Sequence, residues 1–266
     1  MIEVQKDKFF IPFNASIADY TLPVRFNYPF ECNNPHPLCM LASAELQTYL
    51  SEQQEWNHNF GLGDDMKNPI VGKMFGVLIV ETEQMEIGYL AAYSGKLAGG
   101  YHHPKFVPPV FDSLEDGSFL NKGMIELTRI NQEIGILKKD KSAETIKKID
   151  LLQQLRKANS VVLQNQLFDS YHFLNQAGKE KSLREIFKNN VNGNPPSGAG
   201  DCAGPKMLQY AFQHHMKPLA IAEFWWGQSP KSVFWKHGHF YPACREKCAP
   251  ILLHMLEGIA IDEKKR

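Results

Sequence analysis

The chain has no excess of charge. Its 29 Lys and Arg balance 29 Asp and Glu, so no chain-wide field points to a nucleic-acid or membrane partner, and any such signal has to be local. No apolar run approaches the roughly 20 residues of a membrane span, and residues 1–13 lack the basic-then-apolar pattern of an export signal. Cysteine is scarce. Five residues, an odd number, argue against a disulfide framework and for reduced thiols or a metal site. The expected compartment is therefore the cytoplasm, with no membrane partner. The glycines at Gly193, Gly198 and Gly200 have no strand before them and no Lys-Ser/Thr after them, which excludes a phosphate loop. Nothing in the composition bears on oligomeric state.

What is present is apolar enough to bury a core: 43% of the chain is hydrophobic and 11% aromatic, which suits one large domain or two small ones. Residues 36–50 carry Leu38, Leu41, Ala42, Leu46 and Leu50 near helical spacing. Two runs rich in Val, Ile and Tyr, 74–80 and 87–93, flank a polar stretch and read as a β-hairpin. Residues 123–189 are almost free of breakers. Ile125, Ile130, Ile134 and Leu137 form one stripe; Ile146, Ile149, Leu152, Leu155, Val162, Leu167 and Leu174 form another; residues 140–142 form the turn. Further on, 205–215 reads as a helix, 219–226 as a buried strand, 233–241 as an alternating strand and 246–256 as a closing helix. The expected fold is α/β (α+β): an antiparallel sheet flanked by short helices, with an inserted long helical hairpin. Residues 1–120 and 191–266 make one domain, and 121–190 make the inserted arm.

Three constellations carry chemistry. The first is Cys202, which falls at or just before a helix start because Pro205 fits only a first turn. There it would feel the positive end of the helix dipole. His237 and His239, two apart on the expected strand 233–241, would share a face. Cys202 with His237 or His239 is then a nucleophile–base pair. The second constellation is metal: Cys244-x3-Cys248 and Cys32 with His36-x2-Cys39 offer short zinc-type spacings. Cys32, Cys39, Cys244 and Cys248 form the expected ligand set if the fold joins the chain's two ends. The third is electrostatic. Residues 121–190 hold thirteen Lys and Arg against eight Asp and Glu, and Lys138, Lys139, Lys141, Lys147 and Lys148 cluster at or near the arm tip, where they could meet phosphates. The aromatic residues Phe224, Trp225, Trp226, Phe234 and Trp235 could stack bases, although strand spacing favours a core role.

Several segments together resemble the N-terminal extension of long RluA-like RNA pseudouridine synthases. They are HPLCMLASAELQ (36–47), GKMFGVLIV (72–80), GYLAAYSGKL (88–97), FVPPVFD (106–112), PPSGAGDCAGPKMLQYA (195–211), PLAIAEFWWG (218–227) and HGHFYPACREKCAPILLHML (237–256). The resemblance implies an accessory role beside a synthase domain whose nucleophilic aspartate lies in an Arg-Leu-Asp motif. No Arg-Leu-Asp occurs here, so no catalytic residue carries over. The expected function is an accessory domain engaging RNA, ribosomal by the resemblance. A cysteine-dependent amide hydrolase or acyltransferase at Cys202, and a zinc-stabilised module, are the alternatives. No cofactor other than that zinc is expected.

Overall fold

The computed structural model describes residues 7–31, 35–63, 69–115, 117–189 and 193–262. Contacts divide the chain into two compact units, Met1–Val110 with His172–Arg266, and Phe111–Tyr171.

The first unit is built on a five-stranded antiparallel sheet. Its strands are β1 (Ile11–Pro12), β2 (Lys73–Glu81), β3 (Ile87–Tyr93), β6 (Lys217–Trp226) and β7 (Phe240–Tyr241), in spatial order β1-β3-β2-β6-β7. The β2–β3 hairpin pairs Phe75 with Tyr93 through Glu81 with Ile87. The central β2–β6 ladder joins the two sequence zones on either side of the helical region, from Lys73 opposite Trp226 to Glu81 opposite Lys217. Its register slips between Ile79 and Val80, where Pro218 stands opposite Val80; a residue without an N–H is tolerated at such a bulge.

Both faces of the sheet are covered, so β2 and β6 read as continuous apolar runs rather than alternating ones. On one face lies α1 (Pro37–Glu52). Pro37 fits its first turn, the His36 ring accepts the Leu38 N–H, and the chain leaves after Gln53 donates to the Tyr49 carbonyl. Leu38, Ala42, Leu46 and Leu50 recur at i, i+4 and pack in one core with Phe75, Val77, Ile79, Ala220, Ala222 and Phe224. The other face receives α5 (Ala203–Gln213), with α6 (Cys248–Met255) beside it. Gly76 permits the close approach of α5: a Cβ there would stand 2.7 Å from the Met207 Cε and 3.1 Å from the Ala203 Cβ.

The second unit holds α2 (Phe119–Leu137), capped by Ser118 on Asn121, and α3 (Ala143–Asp169), capped by Ser142 on Thr145. Leu127, Ile130, Ile134, Leu163 and Phe168 are buried. Ile125, Ile146, Leu155 and Val162, expected along the buried stripes, are exposed instead. The second expected stripe does not hold a 3.6-residue period well enough to stay on one side.

The helical region also ends earlier than its lack of breakers suggested. α3 stops at Asp169, and residues 172–187 form β4 (His172–Leu174), β5 (Glu180–Ser182) and the one-turn-and-a-half α4 (Leu183–Phe187), packed with α5 and α6 in the first unit. The boundary matters for charge. Between Phe111 and Tyr171 there are nine Lys and Arg and nine Asp and Glu, so this unit is neutral.

Candidate metal centre

Three sulfurs converge at the N-termini of two helices. Cys202 is the N-cap residue of α5, and its side chain makes no capping hydrogen bond. Cys248 opens α6, and Cys244 lies one turn before it. The Sγ atoms of Cys202, Cys244 and Cys248 all lie within 4.8 Å of one another. Those of Cys244 and Cys248 are 3.3 Å apart, and the Cys248 N–H donates to the Cys244 sulfur at 3.3 Å. In a tetrahedral site with zinc–sulfur bonds of about 2.3 Å, sulfurs stand roughly 3.8 Å apart. The three are close to that spacing and can hold a metal ion.

Local chemistry explains the convergence. Helix N-termini present unpaired N–H groups and positive potential, which favour a thiolate. The benefit falls mainly on Cys244: hydrogen bonds from the Cys202 and Cys248 thiols, with backbone N–H groups, hold it far below the ordinary thiol range. Cys202 and Cys248 are raised, first because each thiol interacts with its sulfur neighbours and then by burial. Sharing one charge among three sulfurs is the best such a set can do alone. A divalent cation removes the conflict and lets all three ionise.

Two buried ionisable residues flank the sulfurs. Glu223, in mid-β6 and only 8% exposed, turns toward α5, and its Oε1 accepts the Gly204 N–H at 2.9 Å. It thereby caps the helix that Cys202 leaves uncapped. Burial pushes its carboxyl up to about 7. Lys206, one turn into α5, is 3% exposed. Its Nζ donates to the Tyr93 and Gly95 carbonyls at 3.1 Å and lies 5.2 Å from the ring centroids of both Tyr93 and Tyr101. Burial lowers it to about 8. Beside Glu223 is a small cavity of about 20 Å³, lined also by Gly204, Ala243, Phe240 and Tyr241. That is room for one water.

The arrangement redistributes the sequence-derived sites. Cys202, expected as a nucleophile, belongs with Cys244 and Cys248, and its thiol is raised rather than activated. The expected pairing with histidine is not formed. Residues 233–239 are not a strand; β7 is confined to Phe240 and Tyr241, and Gly238, at φ 74°, turns the chain between the two histidines. His237 and His239 are exposed, His237 Nδ1 accepts the Gly227 N–H at 3.0 Å, and neither imidazole hydrogen-bonds Cys202. Of the expected metal ligands, Cys244 and Cys248 are in the cluster. Cys39 is not: it faces the opposite side of the sheet within the α1 core, fully buried, its thiol raised by that burial. Cys32 lies outside the described residues. Lys138, Lys139, Lys141, Lys147 and Lys148 are all exposed in the second unit, with Lys148 paired to Glu133 at 3.1 Å.

Glu223 and Lys206 were not singled out from the sequence. Each carried a signal, a lone carboxylate inside an apolar strand and a lysine one turn beyond a helix-capping cysteine.

Among the described residues, no helix is long and apolar enough to cross a membrane. No protein-family model matches the chain, and no curated protein and no solved structure is detectably similar to it.

Proposed function

We propose that the first unit is a zinc-dependent domain, with Cys202, Cys244 and Cys248 as the protein ligands. The observation that carries this reading is the convergence of three sulfurs from the starts of two helices. Thiolates are soft, and a tetrahedral sulfur set suits zinc. Three reduced thiols also fit a cytoplasmic protein. The direct test is elemental analysis of the full-length chain purified without chelator: near one zinc per chain is expected, and none after Cys244→Ser. Metal-free wild-type protein would remove the reading.

A second reading, an accessory role on RNA beside a pseudouridine synthase, rests on the resemblance above and on one local feature. Lys138, Lys139 and Lys141 are exposed together at the α2–α3 turn. The neutrality of the unit that carries them weakens its electrostatic support.

A further inference from the structure

We infer that the loop between β6 and β7 docks the protein on the surface of an anionic lipid bilayer, with Val233 and Phe234 inserted among the headgroups. This goes beyond the metal reading and is independent of it.

The loop, residues 227–239, presents apolar side chains that add nothing to the core. Val233 is 96% exposed and Phe234 63%. Single exposed apolar residues are ordinary, but these two are adjacent and share the loop with an exposed Pro230. Hydrogen bonds hold them out. The Tyr241 hydroxyl accepts the Lys236 N–H and donates to the Phe234 carbonyl, both at 2.7 Å. Ser232 Oγ accepts the Phe234 N–H at 3.2 Å, and His237 Nδ1 accepts the Gly227 N–H at 3.0 Å. The Gly238 N–H donates to the Trp225 carbonyl at 2.8 Å, and the Trp225 N–H to the His239 carbonyl at 2.9 Å. Trp235 stacks on Trp225 at 5.2 Å. A loop fixed in this way loses little freedom when it binds, which favours docking.

Charge selects the partner. No Asp or Glu occurs from Phe224 to Ala243, and the exposed Lys231 and Lys236 bracket the tip. Among the described residues neither lysine is ion-paired. An apolar tip between two cations complements a surface that is negative outside and apolar beneath, as the cytoplasmic leaflet of a membrane is. Single-stranded nucleic acid would also meet the cations, but it needs open ring faces for its bases. Val233 has no ring, and Trp235 is already engaged by Trp225, by Tyr241 at 4.7 Å and by Phe234 at 4.9 Å. The expectation of no membrane partner rested on spanning runs and net charge, and neither registers a two-residue tip. Two side chains and two cations make a reversible attachment.

The test is co-sedimentation of the full-length chain with phosphatidylcholine vesicles, with and without about 30% phosphatidylserine. Binding is expected to the serine-containing vesicles and should weaken as salt rises. The double variant Val233→Ser with Phe234→Ser should lower the partition coefficient about tenfold or more. Lys231→Gln with Lys236→Gln should lower it by about as much. Val233→Ser alone, at a side chain almost wholly in solvent, should lower it about threefold or more with an unchanged melting curve. No binding to serine-containing vesicles, equal binding to neutral ones, or binding undiminished in the tip variants would each overturn the assignment and leave the zinc reading intact. So would binding of a short mixed-sequence single-stranded RNA that the tip variants abolish while vesicles are ignored, an outcome that gives the loop to nucleic acid.

Discussion

Gly76 on β2 stands directly opposite Glu223 on β6 in the central ladder, and both face α5. The residue without a side chain makes room for the helix, and its neighbour across the ladder caps that helix. Sheet register therefore sets where Cys202 comes to rest.

Gly76→Val tests that coupling. A Cβ at 2.7 Å from Met207 Cε forces α5 outward. The expected cost is about 1–3 kcal/mol, seen as a melting temperature lower by several degrees. Metal affinity, followed by competition with a chromogenic chelator, should fall too, because one ligand caps α5 while the other two lie at the start of α6 and in the turn before it. Unchanged metal affinity in a destabilised variant would disconnect the two.

Cys39 and Cys244 should separate cleanly. Cys39→Ser places a hydroxyl in an apolar core and should cost about 1–3 kcal/mol while zinc content stays near one per chain. Cys244→Ser should abolish tight zinc binding, and the wild type alone should lose thermal stability on chelation. Elemental analysis beside thermal melts of both variants decides the matter.

Lys206 imposes a pH dependence. Its native pKa of about 8 lies below the unfolded value of about 10.4. Between these values the unfolded chain binds more protons, so stability should rise with pH across that window, and the cost of the buried ammonium is fully present below it. Lys206→Met should remove this contribution. Subtracting its stability curve from that of the wild type, measured by urea denaturation of metal-free protein from pH 7 to 10.5, should leave a positive slope worth about 3 kcal/mol in total. A flat difference would show that the two carbonyls and two rings hold the ammonium at no net cost.

For the RNA reading, replacing Lys138, Lys139 and Lys141 with Glu should weaken binding to ribosomal RNA fragments more than about tenfold at low salt, with thermal stability unchanged. No binding by the intact chain at about 50 mM salt would end that reading, while leaving the metal centre untouched.

Much of the architecture was legible because the relevant signals are local. The apolar runs of β2 and β3, the i, i+4 leucines of α1 and the Pro205-limited start of α5 each follow from neighbours in sequence. The site was harder to read. Cys39 has a short spacing to His36 and Cys202 has none to any other ligand, yet α1 and α5 lie on opposite faces of the sheet, and spacing carries no information about faces. Alternation at 233–241 suggested a strand, yet it could not reveal that the backbone around Gly238 folds back on Trp225, whose carbonyl accepts the Gly238 N–H at 2.8 Å. Nor could a count over 121–190 show a neutral helical unit, because its acidic entry lies before residue 121 and four of its cations lie beyond Tyr171.

The β2–β6 ladder also sets the order of events during synthesis. β2 and β3 leave the ribosome long before Lys217 is made, so the edge of β2 and its apolar faces wait without their partner. Closing so long a loop is slow and leaves the nascent chain open to wrong pairings. Part of the delay is offset by α2 and α3. Their contacts are local, and they can zip while β6 is still being translated; at the ends of their unit the Phe111 and Tyr171 rings meet at 5.7 Å. A helical hairpin that brings its own ends together shortens the tether over which the last central strand must search.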